Sequence, residues 1–317
     1  MLKLLVAVFT ILTPSLAHSD DVASIKYLAV NGHTQIQATG GATASTPFAI
    51  ASVGKTITSV ALLRLADQGQ IDLDAPARRY LPIGMTNALG GLDGVTVRHL
   101  LTMTSGLPDY LYDDYIDAAL ADPDTFQDAH VAVSFAYGDD TLFQPGTNFD
   151  YSNTNFVLAG IAAETATGRS YASVVTREVL QPAGMSDAFV FGSVPLPPDF
   201  PSGHEGDDHY RDYYQNTGFG DGGVIASAQD LANFYRALFV DRSLLSPAMM
   251  DALLRDPIGQ GYGMGLEIDD MTIGHSGGDL GFSSDVRFDT KTGMIAIILA
   301  AQSDVDTDWA SEMVNGQ

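Results

Sequence analysis

From Val53 to Gln68 the chain reads VGKTITSVALLRLADQ, and at helical spacing apolar side chains cover nearly every face. A helix that is apolar all round is a buried one, so the rest of the chain must be wrapped about it. Gly69 follows where a left-handed residue ends such a helix. With 317 residues, 45% of them hydrophobic, the chain is long enough to supply the surrounding layers.

Strand patterns lie at both ends. Tyr27–Val30, an Asn31-Gly32 turn and His33–Ala38 predict a hairpin. Near the other end, Tyr262–Ile268 and Met271–His275 flank Asp269-Asp270, while Ser283–Asp289 and Met294–Ala301 flank Thr290–Gly293. A closing helix over Thr307–Val314 carries Trp309. Between the ends, from Asp72 to about Phe191, helical segments are cut by prolines, with Asn155–Thr167 and Tyr171–Leu180 the clearest. Pro195–Tyr214 reads as an irregular loop, and Ser227 as the N-cap of a helix over Ala228–Phe239. The expectation is an α+β fold: an antiparallel sheet built from both chain ends, flanked by helices, plus an inserted, mostly helical domain. Residues 24–70 and 215–317 would form the first part and 71–214 the second, with the site in the cleft between them.

Lys3, the apolar run Leu4–Leu12 and Ser15-Leu16-Ala17 have the order of a secretory leader, so residues 1–17 are expected to be a signal peptide and the mature chain periplasmic or secreted. The run is too short to span a bilayer, and no membrane span is expected in the mature chain. Acidic side chains number 39 against 15 basic, and losing Lys3 takes the net charge from −24 to −25. Such a chain repels phosphate backbones, which excludes sequence-independent nucleic-acid binding. Absence of cysteine excludes disulfides, thiolate nucleophiles and Cys-ligated metal.

Chemistry concentrates at three places. Ser52 and Lys55 are three apart at the start of the buried helix, so both lie on one face at its positive end. Beyond the leader there are only three lysines, Lys26, Lys55 and Lys291, and a lysine, unlike arginine, can serve as a base once desolvated. Alone, the pair equally describes a capping serine with an ordinary lysine. Tyr151-Ser152-Asn153 joins a phenol able to relay a proton to an amide able to orient a carbonyl, though a core Tyr with a capping Asn fits as well. His275-Ser276-Gly277-Gly278 lets a substrate backbone lie against an edge strand, or is a glycine-rich turn with a surface histidine.

Taken in order, these segments resemble the serine β-lactamase and penicillin-recognising family, in particular its class C and D-alanyl-D-alanine carboxypeptidase branch. The likeness runs through Phe48–Lys55, Leu65–Leu73, Val95–Leu101, Thr104–Pro108, Phe149–Asn153, Gly222–Ser227 and Gly274–Gly278. It implies a β-lactamase/transpeptidase-like fold and an acyl-enzyme mechanism. Ser52 would be the acylated nucleophile, Lys55 its base partner, and Tyr151 the second proton carrier. Asn153 would bind the substrate amide, and His275 and Ser276 would stand where many members place Lys and Thr. Gly277 belongs to the same segment, and the N–H groups of Ser52 and Gly278 would form the oxyanion hole. No cofactor and no metal is implied.

The substrate expected is a small molecule or short peptide with a carboxylate or ester: a D-alanyl-D-alanine carboxypeptidase-like or D-amino-acid peptidase activity, with a carboxylate held beside the Ser276 hydroxyl and a His275 that can be cationic. Esterase, β-lactamase and a penicillin-binding module without turnover are the alternatives, and oligomeric state is left open. Lys291-Thr292-Gly293 spells a better-known form of the third motif, but its place between two strand patterns predicts a solvated hairpin tip. Met103 stands where the family usually has His and is expected to pack. His204, Glu205, Asp207, Asp208 and His209 are expected to form a solvated acidic loop, not a metal site.

Overall fold

The computed structural model describes residues 22–122, 128–216 and 218–315, so the predicted leader lies outside the described residues. The ends of the chain meet in one antiparallel sheet of six strands. From the start come β1 (Ser24–Val30) and β2 (His33–Thr39); from the end come β8 (Glu267–Asp269), β9 (Thr272–Asp279), β10 (Phe282–Asp289) and β11 (Ile295–Ala300). Their order is β2-β1-β11-β10-β9-β8, so β1 pairs directly with β11 in the register Ser24 to Ala300 through Ala29 to Ile295.

Strand alternation explains the layers. Ile25 and Tyr27 share a face with Ile297 and Leu299 and join the main core, while Ala296 and Ile298 point the other way, onto Leu28 and the closing helix Trp309–Asn315. Each fully buried aliphatic contributes about 1.5–3 kcal/mol, and β11 is buried on both faces. Strand β2 is exposed along its whole length at the sheet edge.

The all-apolar segment is the central helix, Gly54–Asp67, entered through a single 3-10 turn at Ala51–Val53. Gly69 takes φ +69°, and the N–H groups of Gly69 and Gln70 return to the carbonyls of Ala66 and Leu65, a Schellman end. Two of its buried threonines bond backbone of surrounding loops: Thr56 Oγ1 donates to Gly265 O at 2.7 Å and Thr58 Oγ1 to Gly220 O at 2.6 Å. A small second sheet orders β3 (Phe48–Ala49), β7 (Val224–Ala226) and β4 (Phe189–Val190) as β3-β7-β4, and β3 feeds the chain straight into the 3-10 turn.

The middle of the chain is mostly helical. Its second apolar cluster, including Leu81, Met85, Leu100, Leu107, Tyr115 and Val133, meets the main core along helix Asn153–Thr167, which gives Val157, Leu158 and Ile161 to one and Phe156, Ala159 and Ala163 to the other.

Several predicted bounds move. The expected strand Tyr262–Ile268 shrinks to β8, with Tyr262 contributing only a bridge to Glu267. Ser227 caps the helix as expected, in a reciprocal pair with Asp230, but the helix ends at Tyr235 and continues as one π turn, Arg236–Val240. The Pro195–Tyr214 loop contains a two-residue hairpin, β5 (His204–Glu205) with β6 (Asp208–His209). There the rings of His204 and His209 meet edge to face at 4.5 Å, and among the described residues no three His, Asp or Glu converge as a metal site would require.

Candidate active site

Three segments far apart in sequence converge at the entrance to the central helix. Ala51, just before Ser52, adopts φ +47°, a left-handed conformation disfavoured for alanine, and this bend delivers Ser52 to the cleft. Ser284 Oγ, from β10, donates to Ile50 O at 2.9 Å and ties the bend to the sheet.

Lys55 is fully buried, and its Nζ donates to Ser52 Oγ at 2.9 Å, Asn153 Oδ1 at 2.7 Å and Asp221 O at 2.6 Å. Those are all the hydrogen bonds an ammonium can donate, and they fix the lysine on the serine. Asn153 is itself oriented: Asp109 accepts its backbone N–H at 3.0 Å and its side-chain amide at 2.9 Å, which leaves Oδ1 for Lys55. Burial pushes the Asp109 carboxyl up from the ordinary range, and Asp221, buried and accepting the Tyr110 hydroxyl at 2.7 Å, is pushed up by the same cause.

Tyr151 is 37% exposed and lines the cleft with Ser52; its ring centroid lies 5.0 Å from Lys55 Nζ. Its phenol bonds neither Ser52 nor Lys55, so the structure brings the ring, not the hydroxyl, against the pair.

His275 to Gly278 do not end a strand, as their glycines suggested, but lie within β9, paired in register with Val286 to Ser283 of β10. Strand β8 stops pairing at Gly274, so the other edge of this stretch forms a wall of the cleft. Ser276 N–H points out of that edge, toward Glu267, and strand alternation sends Gly278 N–H the same way, as an oxyanion donor requires. Gly277 is where contact demands glycine: a Cβ there would come 2.5 Å from Ser284 Oγ and 3.0 Å from Ser52 N.

The expected cationic histidine is corrected by its surroundings. His275 is buried, its Nδ1–H donates to Ser276 O, and its Nε2 lies 3.0 Å from the hydroxyl of Tyr262, a phenol that burial holds strongly protonated. Desolvation, only partly opposed by Glu267, lowers the imidazole pKa to about 4, so at neutral pH the ring is uncharged.

Lys291 is exposed at the β10–β11 turn, where Asp289 organises the Lys-Thr-Gly tripeptide by accepting from Lys291 N, Thr292 N and Thr292 Oγ1. Met103 is buried with φ +56°, its sulfur facing the Asn155 amide at 3.4 Å. Asp109, Asp221, Tyr262 and Glu267 also belong to the site, and none follows from a sequence motif alone. Asp109 directly follows the Ser-Gly-Leu-Pro segment and Asp221 directly precedes Gly222, which are the only signals they carry.

Comparison with known proteins shows the family of the chain. A profile described as Beta-lactamase matches residues 17–312. The chain belongs to the β-lactamase family. Within that family of serine hydrolases it is 29% identical over 269 residues to a penicillin-binding protein of Bacillus subtilis (strain 168), covering 75% of this chain and 56% of the relative. It is also 29% identical over 155 residues to protein Flp of Staphylococcus aureus (strain NCTC 8325 / PS 47), covering 49% of this chain and 30% of that one. The chain thus spans about half, or less, of the length of these curated relatives. Among solved structures it resembles a D-stereospecific amidohydrolase from Streptomyces sp. at 27% identity and TM-score 0.77, over 92% of both chains. A penicillin-binding protein homologue from Pyrococcus abyssi shares the fold, with TM-score 0.80 at 24% identity, over 94% of this chain and 74% of that one. Among the described residues no helix of this β-lactamase-family chain is long and apolar enough to cross a membrane.

Proposed function

We propose that this chain is an extracytoplasmic serine hydrolase that forms an acyl-enzyme on Ser52 and acts on amides or esters of short D-amino-acid derivatives. The observation that carries the reading is the buried lysine, 2.9 Å from Ser52 Oγ and 2.7 Å from Asn153 Oδ1. With Lys55 in its neutral form, two N–H groups stay on Asn153 and Asp221 and the lone pair faces the Ser52 hydroxyl, so the amine can take that proton. As Ser52 Oγ attacks the carbonyl carbon, its proton passes to Lys55, and the N–H groups of Ser52 and Gly278 take the developing oxyanion. Collapse breaks the bond to the leaving group, whose proton travels by way of Tyr151. Water then attacks the acyl-serine ester and regenerates Ser52. The neutral His275 moves the substrate away from a D-alanyl-D-alanine terminus, and the likeness to a D-stereospecific amidohydrolase supports D-amino-acid amides. The predicted leader over residues 1–17 supports the extracytoplasmic placement.

The test is turnover of a short-chain nitrophenyl ester and of D- and L-phenylalaninamide, with intact mass spectrometry to trap the adduct. The expected result is D-selective hydrolysis and an adduct that Ser52→Ala abolishes, with rate falling by about a thousandfold or more. Full hydrolysis by Ser52→Ala would end the reading.

A further inference from the structure

The cleft at Ser52 opens into two recesses, and the one that holds Tyr151 also contains Glu267, His275, Ser276, Gly278 and Asp304. A leaving group must collect a proton as it departs, so the recess with the proton carrier is the leaving-group side. Among the described residues, no Lys or Arg lines that side, and the cations nearest to it are already engaged. Arg287 Nη1 is held 2.6 Å from Glu267 Oε2, and its Nε lies 2.7 Å from Asp285 Oδ1. Gly274, between Glu267 and Arg287 in the strand register, has no side chain to keep the two apart. Lys55 spends its three donors inside the site. The other oxygen of Glu267, Oε1, accepts the Ser276 hydroxyl at 3.0 Å and the Ser276 N–H at 3.4 Å. It therefore sits on the strand edge that an extended substrate would otherwise pair with, and the hydroxyl that could greet an anion is already committed.

Building on the acyl-enzyme reading, we propose that Glu267 sets leaving-group specificity, excluding substrates with a carboxylate on the leaving group and admitting neutral or cationic ones. The substrates are then amino-acid amides, esters, and peptides whose leaving part carries no free carboxylate near the scissile bond. In the amide reaction the C–N bond breaks, the departing amine takes one proton and leaves as ammonia or an amine. Water supplies the oxygen of the acid formed in the second step. An ammonium product is drawn toward Glu267 and Asp304, whereas an amino-acid product would present its carboxylate to both.

The test uses two thioesters with one acyl group, acetyl-D-alanyl thioglycolate and acetyl-D-alanyl thioglycolamide, which differ in leaving-group charge. Wild type is expected to favour the thioglycolamide in kcat/KM by about tenfold or more, the scale of one carboxylate acting at close range in a partly screened site. Glu267→Gln keeps the size and an acceptor for Ser276, and should shrink that preference by about tenfold. Asp304→Asn, exposed at the mouth, should change it less than threefold.

Preference for the thioglycolate, an unchanged preference in Glu267→Gln, or an equal shift in Asp304→Asn would each overturn the assignment. If instead neither thioester is consumed, or Ser52→Ala consumes both, it is the acyl-enzyme reading that fails, and this assignment falls with it.

Discussion

Asp109 grips Asn153 at two points, the backbone N–H and the side-chain amide, so that the carbonyl oxygen of Asn153 can only face Lys55. Removing that grip frees the amide to rotate. Asp109→Asn places an amide where the acceptor stood and should lower kcat/KM on a nitrophenyl ester by about 10- to 100-fold, the usual scale for a residue that orients a functional group. Because the residue acts through Asn153, Asn153→Ala in the Asp109→Asn background should cost little more. A full additive loss in the double variant would refute the coupling.

Two glycines side by side in β9 predict opposite outcomes. A Cβ on Gly277 would press on Ser284 Oγ, Ile50 O and Ser52 N, whereas one on Gly278 meets nothing within 4 Å. Gly277→Ala should therefore displace Ser52 and cost about 1–3 kcal/mol of stability together with most activity. Gly278→Ala should keep its thermal midpoint within a few degrees. Denaturation curves with parallel ester assays check both.

His275 and Lys291 compete for the third motif, and substitution separates them. Truncating His275 removes the ring that bonds Tyr262 behind the cleft wall, so His275→Ala should slow acylation strongly. Lys291→Ala, at an exposed turn, should leave rates within about twofold, as surface changes commonly do. The reverse pattern, read by the rate of adduct formation, would place the motif at Lys291.

Acid should weaken the fold through His275. Its folded-state pKa of about 4 lies below the ordinary value of 6.5, so on acidification the unfolded chain takes up the proton first. Stability from this group falls as pH drops from about 6.5 toward 4, and Glu267, whose pKa is also lowered, loses its contribution in the same direction. The thermal midpoint of wild type should decline over that window more steeply than that of His275→Asn. The kcat/KM profile should show no step near pH 6.5 from this imidazole.

What the sequence disclosed was whatever a short stretch could determine by itself. The central helix announced its burial through apolar residues on all faces, and Ser52 and Lys55 are neighbours because one helical turn makes them so. The hairpin at Asn31-Gly32 likewise lies in local turn chemistry. Glu267, Asp109 and Tyr262 were silent because their partners are 9, 44 and 13 residues away, across strand register and loop packing. The charge of His275 was read wrongly for the same reason. Desolvation depends on what covers the ring, and Gly-Gly beside it suggested an exposed turn where there is a strand. The π turns after Val175 and Tyr235 escaped notice too, since both segments keep helical patterning through them.

The direct pairing of β1 with β11 gives the chain a particular order of assembly. Ser24 lies between Thr39 of its own hairpin and Ala300 near the other end, so the sheet stays incomplete until nearly all of the described residues have been made. Contacts of such long separation close slowly, and until they do the apolar face of the central helix has no sheet to lie against. A chain built this way stays unfinished during synthesis, and its central helix is covered only once both ends of the sheet are present together.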